Sequence, residues 1–393
     1  MLGQTPASWL TQSVRPHKKY RLPDPRHSPN SGFIWLLVIL AAAALAWVWW
    51  RAAQPARSKK SSAKPAAARP SNNPPRPLFV ALRTNAAAVP FSTNLLPTTT
   101  VQTAGGGFPR PARTILEAQL ALERRGISSG SLDGKNGSQT RAALRAFQRQ
   151  EKIPATGELD AATQSRLLLE TPACVNYTVA TNDLARLQPL GKTWLAKSQQ
   201  TALDYESLLE LVAEKSHAHP ALLRRLNPGV DWTNVVAGTV VQIPDAARAD
   251  PPGKAAVVKI SLAEKTLEAF DAGSNLLAHF PCSIAQRVEK RPVGELRVAV
   301  VAPNPNYTFD PAVFPESPEA QQLKMKLILN PGPNNPVGVV WIGLDRPGYG
   351  MHGTPSPELV GRTESHGCFR LANWNAEFLI KLVWIGMPVL VEP

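Results

Sequence analysis

Cysteine is scarce in this 393-residue chain, which holds only Cys174, Cys282 and Cys368. Three thiols are too few for a disulfide-stapled scaffold, so each has to be read singly. A bridge between Cys174 and Cys282 and two unbonded buried thiols are both open readings. Acidic side chains are missing from one end. Residues 1–112 hold 14 Lys/Arg against the single acid Asp24, whereas residues 113–393 hold 29 Lys/Arg against 28 acids. The net charge of +14 therefore belongs to the N-terminal segment, and the remainder is close to neutral. With no groove-reading motif present, this distribution argues against a nucleic-acid partner and suits attraction to anionic lipid or anionic polymer.

Residues 1–31 are polar and rich in Pro, Lys, Arg and His, the composition of a disordered cytoplasmic tail. Gly32 to Trp50, GFIWLLVILAAAALAWVWW, is nineteen residues without a charge. As a helix it would span roughly 28 Å, with Trp35 at one end and Trp47, Trp49 and Trp50 at the other as interfacial anchors. A transmembrane helix is expected. A cleaved signal peptide is the competing reading, because small residues follow from Ala52 to Ala56, but the long polar leader and the tryptophan cluster favour an uncleaved anchor. Lys and Arg flank the run on both sides, so charge does not set its orientation. Residues 51–112 form a Pro/Ala-rich basic linker with a coil reach of roughly 40–45 Å.

The chemistry gathers in Tyr349 to Leu371, YGMHGTPSPELVGRTESHGCFRL. Trp341–Leu344 and Tyr349–Met351 read as short strands around a turn, which puts His352 at a strand end. The Gly353 carbonyl can then fix one ring nitrogen as donor and leave the other as base. Ser365 to Cys368 reads as a tight glycine turn that can aim consecutive N–H groups, those of Gly367 and Cys368, at one oxyanion. A thiol acts as nucleophile only once deprotonated, and the run supplies two imidazoles, His352 and His366. The same three residues lack a fourth ligand at zinc-finger spacing, so neither metal nor cofactor is expected.

This run, with PVGVVWIGLDRPGYGMHG ahead of it, VVKISLAEKTLEAF at Val257–Phe270 and RPVGELRV at Arg291–Val298, resembles the catalytic core of the L,D-transpeptidases, the YkuD-like family. Arg291 stands where threonine is commoner. The resemblance covers residues 254–393 and implies a mostly-β catalytic domain. It implies that Cys368 attacks the L,D bond of a peptidoglycan stem tetrapeptide, expels D-Ala and forms a thioester. An amine then takes the acyl group, giving 3→3 cross-links or wall-attached protein. His352 would be general base and acid, Gly353 its orienting carbonyl, and His366 a secondary candidate. Ser365, Arg370 and Tyr349 would meet the substrate, Arg370 either holding a carboxylate or bracing the turn. An L,D-carboxypeptidase would use the same site with water as acceptor, and a non-catalytic wall-binding scaffold is the reading from a different class.

Upstream, helical periodicity begins at Arg113: Ile115, Leu116, Leu120 and Leu122 mark one helix, Thr140, Ala143, Leu144 and Phe147 a second, and Ala161–Leu169 a third. Residues 113–170 resemble the peptidoglycan-binding helical domain of wall enzymes, with Gln119, Asp133, Gly134, Gln148, Thr156, Asp160 and Thr163 matching mostly as turn and capping chemistry. Residues 171–250 resemble a LysM module, a β-α-α-β unit that binds glycan, interrupted by an insertion before Tyr205; packing against the catalytic domain is the alternative role. Val301 to Pro333 is a proline-dense excursion with a helix expected at Pro318–Lys326, read as a lid or substrate wall or as a plain surface loop. The expected architecture is multidomain: an N-terminal transmembrane helix, a small all-α domain, an α+β LysM-like module and a mostly-β catalytic domain. The implied partners are peptidoglycan stem peptides, glycan strands and, through one helix, the membrane. The implied location is the inner membrane, single-pass, with the catalytic domain in the periplasm or wall space.

Overall fold

The computed structural model describes residues 107–314 and 317–393. The expected tail, transmembrane helix and nearly all of the linker lie outside the described residues. Among the described residues no helix is long and apolar enough to cross a membrane.

The linker gives way to structure before residue 112. Arg110–Pro111 (β1) pairs antiparallel with Leu168–Leu169 (β2), and Ala112 is fully buried. Between them run Ile115–Glu123 (α1), Ser138–Gln150 (α2) and Ala161–Arg166 (α3). Thr114 and Asp160 open the first and third by accepting the N–H groups of Glu117 and Thr163. The third helix stops short of the expected Leu169 because Leu168 and Leu169 are taken by β1. Two buried glutamines tie the turns. The Gln119 amide donates to Asp133, Thr140 and the Lys135 carbonyl and accepts from the N–H groups of Asp133 and Gly134. Gln148 does the same for Thr156, Thr163, the Glu158 carbonyl and the Gly157 N–H. Both are 1% exposed or less, so these residues hold loops rather than meet ligand.

Cys174–Thr178 (β3) pairs antiparallel with Val240–Pro244 (β4). Between them lie Thr181–Ala185 (α4), Trp194–Ser198 (α5), Leu208–Lys215 (α6) and Pro220–Leu226 (α7), so the insertion before Tyr205 holds the two short helices α4 and α5. Leu120 and Phe147 from the first segment and Leu211 and Val241 from the second belong to one core, so residues 113–170 and 171–250 fold against each other.

The remaining strands are Val257–Ser261 (β5), Thr266–Phe270 (β6), Leu276–Pro281 (β7), Gly294–Pro303 (β8), Tyr307–Phe309 (β9), Leu327–Leu329 (β10), Val340–Leu344 (β11), Gly350–His352 (β12), Phe369–Arg370 (β13) and Pro388–Glu392 (β14). Eight of them form one sheet in the order β13-β12-β11-β8-β14-β5-β6-β7, antiparallel except where β12 meets β13 and β5 meets β14. Pro318–Gln322 (α8) is shorter than expected, and Asn373–Leu382 (α9) packs on the sheet, sharing a core with Phe280, Ile342 and Phe369. All three cysteines are unbonded, which removes the Cys174–Cys282 bridge.

A buried charge cluster joins the catalytic sheet to the preceding modules. Glu123, fully buried, lies 3.2 Å from Arg248 and 2.8 Å from His217, whose ring stacks on Trp374 at 5.0 Å. Arg248 also donates to the Trp374 carbonyl at 2.6 Å and sits 4.3 Å over the Phe378 ring. Burial opposes the charge on Glu123, but Arg248 and His217 outweigh it and hold the carboxyl below its usual range. Arg248→Ala would strand that carboxylate without its cation. A loss of about 3–5 kcal/mol of stability is expected, read as a lower thermal unfolding midpoint; an unchanged midpoint would show that the cluster does not join the modules.

Candidate active site

Strand pairing brings the reactive residues together. β11 and β12 run antiparallel with Trp341 opposite His352, and β12 runs parallel to β13 with Met351 opposite Phe369 and His352 opposite Arg370. His352 and Arg370 stand opposite each other and share a face of the sheet, and Cys368 lies two residues before Arg370 in the bend that leads into β13. The Arg370 charge reaches both the thiol and the imidazole.

His352 is 5% exposed, and its Nδ1 lies 2.6 Å from the Gly353 carbonyl. A carbonyl only accepts, so Nδ1 carries the proton and Nε2 is left as the base. The ring is backed by Trp341, 5.6 Å between centroids. Burial pulls the imidazole down to about 4, against a smaller upward pull from the Gly353 bond. Burial also pushes the Cys368 thiol up to about 11, opposed by the Gly350 N–H and by Arg370. The resting groups are therefore a neutral thiol and a neutral imidazole, and the thiol donates to the Gly348 carbonyl at 3.4 Å.

The Gly353 peptide is held by Asn373, the first residue of α9. Its Oδ1 accepts from the N–H groups of Thr354 at 3.0 Å and Val339 at 3.4 Å, and its Nδ2 donates to Glu214 at 2.7 Å and to the Pro333 carbonyl at 3.2 Å. A Cβ on Gly353 would lie 2.1 Å from that Oδ1, so only glycine fits. Asn373 gave no sign of this in the sequence, since it lies outside the motif and its partners lie up to 159 residues away.

Several expected roles change. Ser365 is a buried brace, not a substrate contact: its hydroxyl donates to the Cys368 carbonyl at 2.6 Å, accepts the Gly367 N–H at 3.2 Å, and its own N–H reaches the Ile284 carbonyl. That leaves Gly367 N–H already engaged, so of the two expected oxyanion donors Cys368 N–H is the stronger candidate. His366 is exposed and its ring meets Phe314 edge-on at 5.4 Å, which fits packing better than proton transfer. Arg370 both braces and faces outward, donating to the Glu364 carbonyl at 3.1 Å and lining a cavity of about 270 Å³. Tyr349 is half-buried beside Gly367, with Arg346 over its ring at 4.7 Å.

One residue of the 301–333 excursion, Tyr307, comes near this site. β9 and β10 pair as a small hairpin, which brings Tyr307 close enough to Cys368 and Arg370 for both to act on its phenol, itself pushed up to about 12 chiefly by burial. Trp194 of α5 stacks on Phe309 at 4.2 Å, and Leu203, Phe309 and Leu329 make a separate fully buried cluster. The residue pattern of the excursion did not reveal Tyr307, because its neighbours come from distant segments.

A half-buried thiol, an imidazole with a fixed tautomer and a turn of backbone donors are the parts of a cysteine-dependent acyl-transfer site. Comparison with known proteins makes the class specific. Residues 255–391 match the family described as "L,D-transpeptidase catalytic domain", and residues 113–167 match the family described as "Putative peptidoglycan binding domain". The chain is 27% identical over 189 residues to "Putative L,D-transpeptidase YkuD" of Bacillus licheniformis, covering 48% of this chain and 94% of that protein. It is 29% identical over 182 residues to "Probable L,D-transpeptidase YbiS" of Escherichia coli, covering 46% of this chain and 58% of that one. Among solved structures it resembles an L,D-transpeptidase from Mycobacterium smegmatis at 20% identity and TM-score 0.28, over 40% of this chain and 65% of that one. The chain carries an L,D-transpeptidase catalytic domain behind a peptidoglycan-binding domain, and it is an enzyme of the L,D-transpeptidase class.

The neutral pair has a pH signature. With the thiol pushed up to about 11, alkylation of Cys368 by an uncharged thiol reagent should be slow near neutral pH and climb about tenfold per pH unit until it levels off near pH 11. Fast alkylation already independent of pH near neutrality would show a preformed thiolate. Because the folded imidazole titrates below its unfolded value, its contribution to stability is complete above about pH 6.5 and is lost as pH falls toward 4. Gly353→Ala should displace the carbonyl that sets the ring and cut kcat about a hundredfold with little change in KM; wild-type kcat would show that the peptide tolerates the shift.

Proposed function

We propose that the protein is a peptidoglycan L,D-transpeptidase that takes a stem tetrapeptide as acyl donor. Cys368 Sγ attacks the carbonyl of the L,D bond while its proton passes to His352 Nε2. The C–N bond then breaks, the imidazolium returns the proton to the departing D-Ala amine, and a thioester remains. An incoming amine attacks the thioester, His352 accepts its proton, and the thiol is restored by that proton as the new amide forms. The Nδ1–H to Gly353 bond at 2.6 Å carries this reading, since it leaves one ring nitrogen able to act in both directions. The tetrahedral oxyanion is assigned to the N–H of Cys368.

The same reading gives the other segments their places. The uncharged run at residues 32–50 supports a single-pass anchor in the inner membrane, with the catalytic domain in the periplasm or wall space. The β-α-α-β arrangement between β3 and β4 supports a LysM-like role for residues 171–250 in binding glycan strands.

Incubating the full chain with tetrapeptide-bearing muropeptides tests this, with products read by mass spectrometry. Cross-linked dimers that vanish in Cys368→Ala are expected. Tripeptides alone would make it an L,D-carboxypeptidase, and untouched substrate under reducing conditions would refute catalysis on this donor.

A further inference from the structure

The cavity of about 270 Å³ lined by Arg370 and Thr354, which stand two residues from Cys368 and His352 respectively, is not built by the catalytic sheet alone. Ser283, Thr354 and Arg370 line it from the sheet side, and Trp194 and Lys197 line it from α5, which belongs to the insertion before Tyr205. Among the described residues no acidic side chain lines it, and its two cations come from segments more than 170 residues apart.

The insertion is fastened to the site. The Leu203 N–H reaches the Pro331 carbonyl at 2.9 Å, Asn330 donates to the Gln200 carbonyl at 2.7 Å, and Asn334 donates to the Asp204 carbonyl at 3.0 Å. The Trp194 ring, stacked on the fully buried Phe309, fixes the helix that carries Lys197. Lys197 is half-buried, lies 5.8 Å from the Trp194 ring, and has no carboxylate partner among the described residues. Arg370 likewise has a carbonyl, not a carboxylate, as its recorded partner. Two cations with no carboxylate partner among the described residues, on one cavity, call for an anionic ligand.

We propose that Lys197 is a specificity-determining residue that, with Arg370, holds a free carboxylate of the acyl-donor peptide, so that the module preceding the catalytic domain completes the donor site. This rests on the donor being the stem peptide named above. Hydroxyls of Ser283 and Thr354 supply neutral donors to the same ligand, while Trp194 and Leu359 meet its apolar parts. The peptide's charge selects the cavity, and its backbone then lies toward Cys368 along the Arg370 strand.

Calorimetric titration of the full chain carrying Cys368→Ala separates binding from turnover. The probes are a tetrapeptide muropeptide and the same compound with its carboxyls converted to carboxamides. Lys197→Ala should weaken binding of the acid about tenfold, Lys197→Arg should keep most of it, and the carboxamide should bind weakly and be indifferent to Lys197. Lys197→Gln, which retains the stem over Trp194, repeats the test if the alanine variant unfolds. Unchanged binding in Lys197→Ala, an equal loss for acid and carboxamide, or no binding to the parent would overturn the proposal. Lys197-dependent binding without turnover by the unsubstituted enzyme would instead refute the transpeptidase reading and leave this site standing.

Discussion

One hydrogen bond, from His352 Nδ1 to the Gly353 carbonyl, decides which ring nitrogen is a base. Everything near it serves to keep that carbonyl in place. Asn373 occupies the space where a side chain on residue 353 would be, and accepts the N–H of the next residue. The Asn373 amide is itself held by Glu214, a carboxyl that burial raises well above its usual range. A catalytic tautomer thus depends on a helix of the middle module. Removing a neighbour in this chain would act on the ring through the peptide, not through direct contact.

The same dependence appears across the whole described region. The helical and β-α-α-β segments share one core, and they meet the catalytic sheet through the Glu123–His217–Arg248 cluster and through paired backbone at Ser128 and His279. A buried charge cluster is costly to desolvate and is a weak source of net stability, but it penalises any arrangement that separates its members. The joint between the modules is therefore defined in geometry, which a cavity lined from both sides requires. Flexible tethering at this joint would leave Lys197 without a fixed relation to Arg370.

Local pattern made much of this legible. The strand-end position of His352, the orienting carbonyl of Gly353 and the capping roles of Thr163 and Asp160 all follow from neighbours within a few residues. What stayed hidden were contacts between distant segments: Asn373 on Gly353, Tyr307 near Cys368, Trp194 on Phe309. No periodicity reports such pairs, because each residue looks ordinary in its own element. The contact between Ser365 and Gly367 was hidden for a related reason. A glycine turn offers N–H groups, but only the fold shows that Ser365 has already claimed one of them.

The central claim is that the resting site is a neutral pair with Nε2 of His352 as the base. Nitrogen NMR of the full chain with labelled histidine, assigned by loss of signal in His352→Gln, tests it directly. Near neutral pH, and down to about pH 5, the spectrum should show a protonated Nδ1 and an unprotonated Nε2. A doubly protonated ring near neutral pH would contradict it, since it would mean that the proton has already left Cys368 before any substrate arrives.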